Sequence, residues 1–195
     1  MIDLREQFQI DTNQKSISYQ REEYAIVRIQ NIYRSSRKNK KDIGKILWGG
    51  HFKRVWDEKN NIPSCQESFE LWLKSEIYEL SSLLSESSEL KKIGMAQKFM
   101  SLFLKDLWAF NEVSKEVSDN FKPPLDRIIL SHFKKVPKSW HSWTKVECKD
   151  DDFDDLYNEY LKITETFSER YNSISSQFSS PLDLEQLLWH REKVK

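Results

Sequence analysis

The sequence predicts an all-α fold, a compact multi-helix domain of about seven helices. Three observations point there. Only 4 Gly and 5 Pro occur in 195 residues, too few for the many turns of a β-sandwich or barrel. Leu, Lys and Glu dominate the long stretches between them, and apolar residues recur in those stretches at helical spacing. The apolar share is 38%, but 7 Trp, 7 Tyr and 11 Phe make a bulky core attainable within one domain.

The elements follow in order. Residues 1–18 are polar without a sustained period and read as an N-terminal arm or short helix, leaving 19–195 as a single helical domain. Tyr24, Ile26, Val27, Ile29 and Ile32 predict a helix that ends near a basic run. Ile43, Ile46, Leu47 and Trp48 open an apolar face that breaks at Gly49-Gly50 and resumes through Phe52, Val55 and Trp56. Ser64 and Glu67 form a capping-box pattern before a stripe running from Phe69 to Leu84. Glu89 to Ile93 reads as a short helix stopped by Gly94, followed by a strongly apolar helix over Met95 to Phe110. Pro123-Pro124 opens a helix over LDRIILSHF, with proline in its first turn. A loop bearing Trp140, His141 and Trp143 leads to an acidic entry and a long helix from Phe153 to Tyr171. Ser180-Pro181, with Asp183 three residues on, starts the last helix, whose buried face is Leu184, Leu187, Leu188 and Trp189.

Formal net charge is zero, yet Arg34 to Lys45 carries six basic residues against one acid, and Glu147 to Asp155 is strongly acidic. Arg37, Lys38, Lys40 and Lys41 are therefore candidate phosphate contacts, with a solvated loop or helix end as the plainer reading. Cys65 and Cys148 are isolated, and the four histidines (His51, His132, His141, His190) lack a His-x-x-x-His spacing, so no metal and no cofactor are expected. A single cysteine pair without metal spacing and no long apolar run suggest a reduced, cytoplasmic chain with no membrane partner, taken as a monomer. No Gly-x-Ser-x-Gly elbow or glycine-rich phosphate loop is present.

The segment ELKKIGMAQKFMSLFLKDLWAF has the shape of a helix-hairpin-helix, Leu90-x-x-Ile93-Gly94-x-x-x-Lys98, followed by Pro124-Leu125-Asp126. In this it resembles the helix-hairpin-helix DNA glycosylases, nearest their archaeal 8-oxoguanine glycosylase branch. The resemblance implies that Lys98 is the catalytic lysine and Asp126 the catalytic aspartate. It further matches Lys105 to a second lysine and Asp126-Arg127-Ile128-Ile129-Leu130 to the helix after the aspartate. It implies DNA as partner, held by the hairpin backbone at Gly94 and Met95 and by Arg127. The hairpin has one glycine where the family commonly has two. The whole-chain pattern is also similar to an uncharacterised bacterial and phage-associated group sharing the Ala96-Gln97-Lys98 helix and a Pro-x-Asp helix.

A lysine that attacks a sugar C1′ must be a neutral amine, and Lys98 sits near a predicted helix start among Ala96, Phe99 and Met100, surroundings that disfavour an ammonium. Asp126 then orients the amine or stabilises positive charge on the sugar. A flipped base needs aromatic faces and amide partners, for which Trp108, Trp140, Trp143, Gln30 and Gln97 are the base-pocket candidates, with Trp189 as a further ring. Each ring taken alone reads better as core packing, and Asp126 reads also as an acid favoured by a helix dipole. The expected function is a DNA glycosylase, with or without lyase activity, acting in repair or against phage with modified DNA. The alternatives are a non-enzymatic helical module that binds nucleic acid or protein, and a structural or toxin-type protein in which Lys98 is inert.

Overall fold

A computed structural model describes residues 4–11, 44, 46–85, 90–133, 136–172 and 180–193. The predicted helix around Tyr24–Ile32 and the basic run lie outside these residues, and so do Gln30, Arg37, Lys38, Lys40 and Lys41.

The described chain is all-α. Its helices are α1 (Leu4–Asp11), α2 (Lys53–Asp57), α3 (Gln66–Leu83), α4 (Ile93–Ala109), α5 (Lys115–Ser118), α6 (Arg127–Ser131), α7 (Phe153–Asn172) and α8 (Pro181–Lys193). Short 3-10 turns span Lys59–Asn61, Lys138–Lys145 and Asp150–Asp152, and a π-helical turn, Trp48–Phe52, runs directly into α2. Gly49 and Gly50 therefore do not interrupt the helix. They form part of the wider turn, which places Trp48, His51 and Phe52 inside.

Helix α4 is the axis of the molecule. Every residue of it except Lys98 and Leu102 is buried, as expected of a helix apolar nearly all round and enclosed by neighbours. Helices α1, α3 and α7 and the Lys138–Lys145 turn pack on it. On α3, Phe69, Leu73, Ile77 and Leu80 are fully buried at helical spacing. On α7, Phe153, Tyr157, Tyr160, Ile163 and Phe167 form the buried face. The acidic turn Asp150–Asp152 precedes α7, where carboxylates favour the positive end of the helix dipole.

Three local expectations are corrected. The short helix over Glu89–Ile93 is absent among its described residues. Leu90–Lys92 is non-helical, Lys91 exchanges backbone hydrogen bonds with Cys148 (2.7 and 3.1 Å), and Ile93 is already the first residue of α4. Gly94 thus lies inside the start of one helix rather than in a hairpin. The capping box at Ser64 does not form either: Cys65 occupies the cap position without a side-chain bond, and the Ser64 carbonyl accepts from Asn120 Nδ2 at 2.7 Å. Pro123-Pro124 precede α6 in non-helical backbone, and Asp126 is itself the cap.

The expected start of the last helix forms. Ser180 and Asp183 cap α8 reciprocally, Ser180 N–H donating to Asp183 Oδ2 at 2.8 Å and Asp183 N–H to Ser180 Oγ at 3.3 Å. The polar N-terminus contains α1, whose Phe8 is buried and whose Gln9 donates to the Ala109 carbonyl at 2.7 Å. No helix among the described residues is long and apolar enough to cross a membrane.

Candidate active site at Lys98

Lys98 lies in the second turn of α4, at one of the two positions where that helix is not buried. Its Nζ stands 3.0 Å from Asp126 Oδ2 and 4.5 Å from the centre of the Trp143 ring. Three segments far apart in sequence meet there: α4, the cap of α6 and the Lys138–Lys145 turn. The Lys98 and Asp126 side chains retain 14% and 13% of their exposure, so the pair is reachable from solvent but largely enclosed.

The two carboxylate oxygens of Asp126 do different work. Oδ1 accepts from the backbone N–H of Ile128 (2.9 Å) and Ile129 (3.1 Å), which caps α6 and fixes the carboxyl plane. Oδ2 is thereby aimed at the lysine.

Two further residues of the same helix face set the other partners. Gln97 receives the Leu125 N–H on Oε1 (3.1 Å) and donates from Nε2 to the Leu125 carbonyl (2.9 Å) and the Gly94 carbonyl (2.9 Å). This clamp holds the residue immediately before Asp126. Gly94 lets the Trp143 backbone come close: a Cβ there would lie 1.8 Å from the Trp143 carbonyl oxygen. The Gly94 N–H donates to the Val146 carbonyl at 3.1 Å, which ties down the far side of the same turn. Residues 94, 97 and 98 share a face by the helical i, i+3, i+4 relation.

One more pair continues the polar line into the core. Lys105, seven residues beyond Lys98, is buried; its Nζ pairs with Glu185, donates to Gln186 Oε1 at 2.8 Å and lies 4.4 Å over the Phe8 ring. Burial raises the Glu185 carboxyl above its ordinary range, opposed first by Lys105; the charges of Asp126 and Lys98 also reach it. Glu185 was not singled out from the sequence, although two polar residues between Leu184 and Leu187 on an apolar helix were a signal.

The structure brings Lys98, Asp126 and Trp143 together and removes other candidates from the site. Trp108 is in the core with Arg5 stacked on it at 4.9 Å, and it has no face to offer a base. Trp140 is fully buried, tilted against Tyr160, with Nε1 donating to Glu159 Oε2 at 3.1 Å. Gln97 is fully buried and its amide is committed to backbone, so it does not read a base edge. Met95 is buried and the Gly94 amide is already bonded, so neither offers a phosphate cradle. Arg127 is exposed, one residue from Asp126. His141 is exposed and Trp189 half-buried. Set against known protein families, curated proteins and solved structures, the chain matches none.

Proposed function

We propose that the chain is a DNA glycosylase in which Lys98 is the nucleophile and Asp126 its proton acceptor. The observation that carries the reading is the 3.0 Å contact between the Lys98 amine and Asp126 Oδ2 under the Trp143 ring, on a helix buried everywhere but at Lys98 and Leu102. A lysine beside a fixed carboxylate and an aromatic wall has the parts needed for attack on a sugar carbon next to a base held by stacking. The Nζ–C1′ bond forms as the C1′–N bond breaks, and the base departs with its electron pair and takes a proton from water. Asp126 takes the proton the amine sheds and returns it to the ring oxygen as the sugar opens, leaving a protonated Schiff base. Exposed Arg127 and Lys145 stand one and two residues from Asp126 and Trp143, where they suit backbone phosphates.

Borohydride trapping tests the reading. Duplex oligonucleotides carrying oxidised, deaminated or bulky modified bases are incubated with the full chain and reductant. A covalent adduct is expected from at least one substrate class, and Lys98→Gln removes it while leaving binding. Absence of any adduct despite binding refutes the lysine mechanism.

One observation favours a second reading, a non-enzymatic helical module. The hairpin that holds phosphate in the resembled family is not formed, and Gly94 serves packing instead. Binding without trapping, steeply weakened by salt and indifferent to base identity, identifies that case.

A further inference from the structure

The π-helical turn Trp48–Phe52 and helix α3 enclose a second polar group, unrelated to Lys98. His51 has no solvent exposure, and Glu76, from the buried face of α3, is nearly as enclosed. Glu79, one helical turn on, is half exposed. One donor atom from each of the three lies within 4.8 Å of the others. Both imidazole nitrogens face carboxylate oxygens, Nε2 at 3.2 Å from Glu76 Oε2 and Nδ1 at 3.7 Å from Glu79 Oε2, yet neither makes a hydrogen bond. A buried imidazole without a hydrogen-bond partner is costly unless something else uses its lone pair.

We propose that His51, Glu76 and Glu79 bind a divalent transition-metal ion of the zinc type, with Arg54 holding the carboxylates in the metal-free state. Two ligands about 2.0–2.1 Å from a tetrahedral ion are about 3.3 Å apart, which the Nε2–Oε2 spacing already matches. One imidazole and two carboxylates form a three-donor set that leaves a fourth position for water. Arg54 Nη2 bridges Glu76 Oε2 (2.6 Å) and Glu79 Oε2 (2.7 Å), a positive charge where the ion's would fall. It can yield the place, because its side chain is 39% exposed and has Glu58, the residue that ends its helix, 3.7 Å away as an alternative partner. The half-exposed Glu79 carboxylate, adjusting by a rotamer change, completes the set and marks the side of entry. The wide turn through Gly49-Gly50 is what points His51 inward, and π-turns inside helices recur at functional sites.

The full chain, stripped with EDTA and dialysed, is titrated with ZnCl2 by calorimetry and by competition with a chromophoric chelator. One site with Kd of about 1 µM or tighter is expected. Glu79→Gln, at a half-exposed position that does not threaten folding, weakens it by at least about tenfold. Arg54→Gln strengthens it several-fold by removing the competing cation. His51→Asn abolishes it if that variant folds. No saturable one-to-one binding, or binding that Glu79→Gln and Arg54→Gln leave unchanged, overturns the proposal and assigns any bound zinc to the exposed acidic turn or Cys65.

Discussion

Replacing Gly94 by alanine adds one methyl group at the point where α4 touches the Lys138–Lys145 turn, and its cost is worked directly from the contacts. The new Cβ would stand 1.8 Å from the Trp143 carbonyl oxygen, 2.9 Å from its carbon and 3.0 Å from Val146 Cβ. Two of these are backbone atoms, so no side-chain rotation relieves the overlap, and the turn must move away by more than an ångström. Overpacking of this kind costs about 1–3 kcal/mol, toward or beyond the upper end when backbone is displaced. Movement also strains the Gly94 N–H to Val146 carbonyl bond, a further contribution of about 1 kcal/mol. Alanine's better helix propensity returns about 1 kcal/mol at most. A net loss of about 3 kcal/mol results, a large share of a typical stability of about 5–15 kcal/mol. Urea unfolding followed by tryptophan fluorescence measures it, and with a slope of about 2 kcal/mol/M the midpoint falls by about 1.5 M. A Gly94→Ala protein within 0.5 kcal/mol of the parent refutes the close approach, and with it the argument that Gly94 positions Trp143 over Lys98.

Three other outcomes follow from the same contacts. Asp126→Ala removes the α6 cap and is expected to cost about 1–2 kcal/mol by urea unfolding, whereas Asp126→Asn keeps an oxygen for the Ile128 and Ile129 amides and costs less than half of that. If the two variants lose equally, the cap is not what Asp126 supplies. Cys65 is exposed and Cys148 buried, so iodoacetamide at pH 8 labels one thiol in the native chain, located by peptide mass, and two in urea. Burial, then the charges of Asp152 and Asp150, push the Cys148 thiol up to about 11 from 9.0, with Lys91 opposing. Because the unfolded thiol ionises first, the contribution is complete below pH 9 and is lost as pH rises to 11. The parent should therefore lose on the order of 2 kcal/mol more than Cys148→Ala over that interval, and equal losses in the two proteins would remove the linkage.

Much of this architecture was written locally. Helices α3, α4, α7 and α8 follow from apolar periodicity, and the α8 cap from Ser180 and Asp183 three residues apart, because each depends on neighbours within a few residues. Where the reading went astray, a partner distant in sequence decided the outcome. Gly94 looks like a helix stop because glycine ends helices, but here it accommodates a carbonyl from residue 143. Leu90–Lys92 carries helical composition, yet Lys91 is drawn into a backbone pair with Cys148. Trp140 stands in a predicted loop as a base-pocket candidate, yet its ring is buried beside Tyr160. The Lys98–Asp126 proximity was expected only from the spacing of a resembled motif, and the structure supplies it by a different route, the Gln97 clamp on Leu125. The group at His51 was invisible in spacing because its donors come from a π-turn and a helix some 25 residues apart.

Stability and trapping, read together on one variant, decide whether the Lys98–Asp126 pair serves the fold or a reaction. An enclosed ion pair gains little over an apolar packing of the same volume, while stripping one partner from a fully buried pair costs about 3–5 kcal/mol. Asp126 is not in that second situation, since Oδ1 keeps two backbone donors and the side chain retains 13% exposure for water at Oδ2. Lys98→Met keeps the length of the side chain and its contact with the Trp143 face, and it removes only the charge. Its expected cost is within about 1 kcal/mol of the parent. A near-neutral Lys98→Met with trapping lost would mean that the amine is kept for chemistry. A loss of about 3 kcal/mol or more would make the pair a structural tie between α4 and α6, and would sink the nucleophile reading unless trapping by the parent protein stands against it.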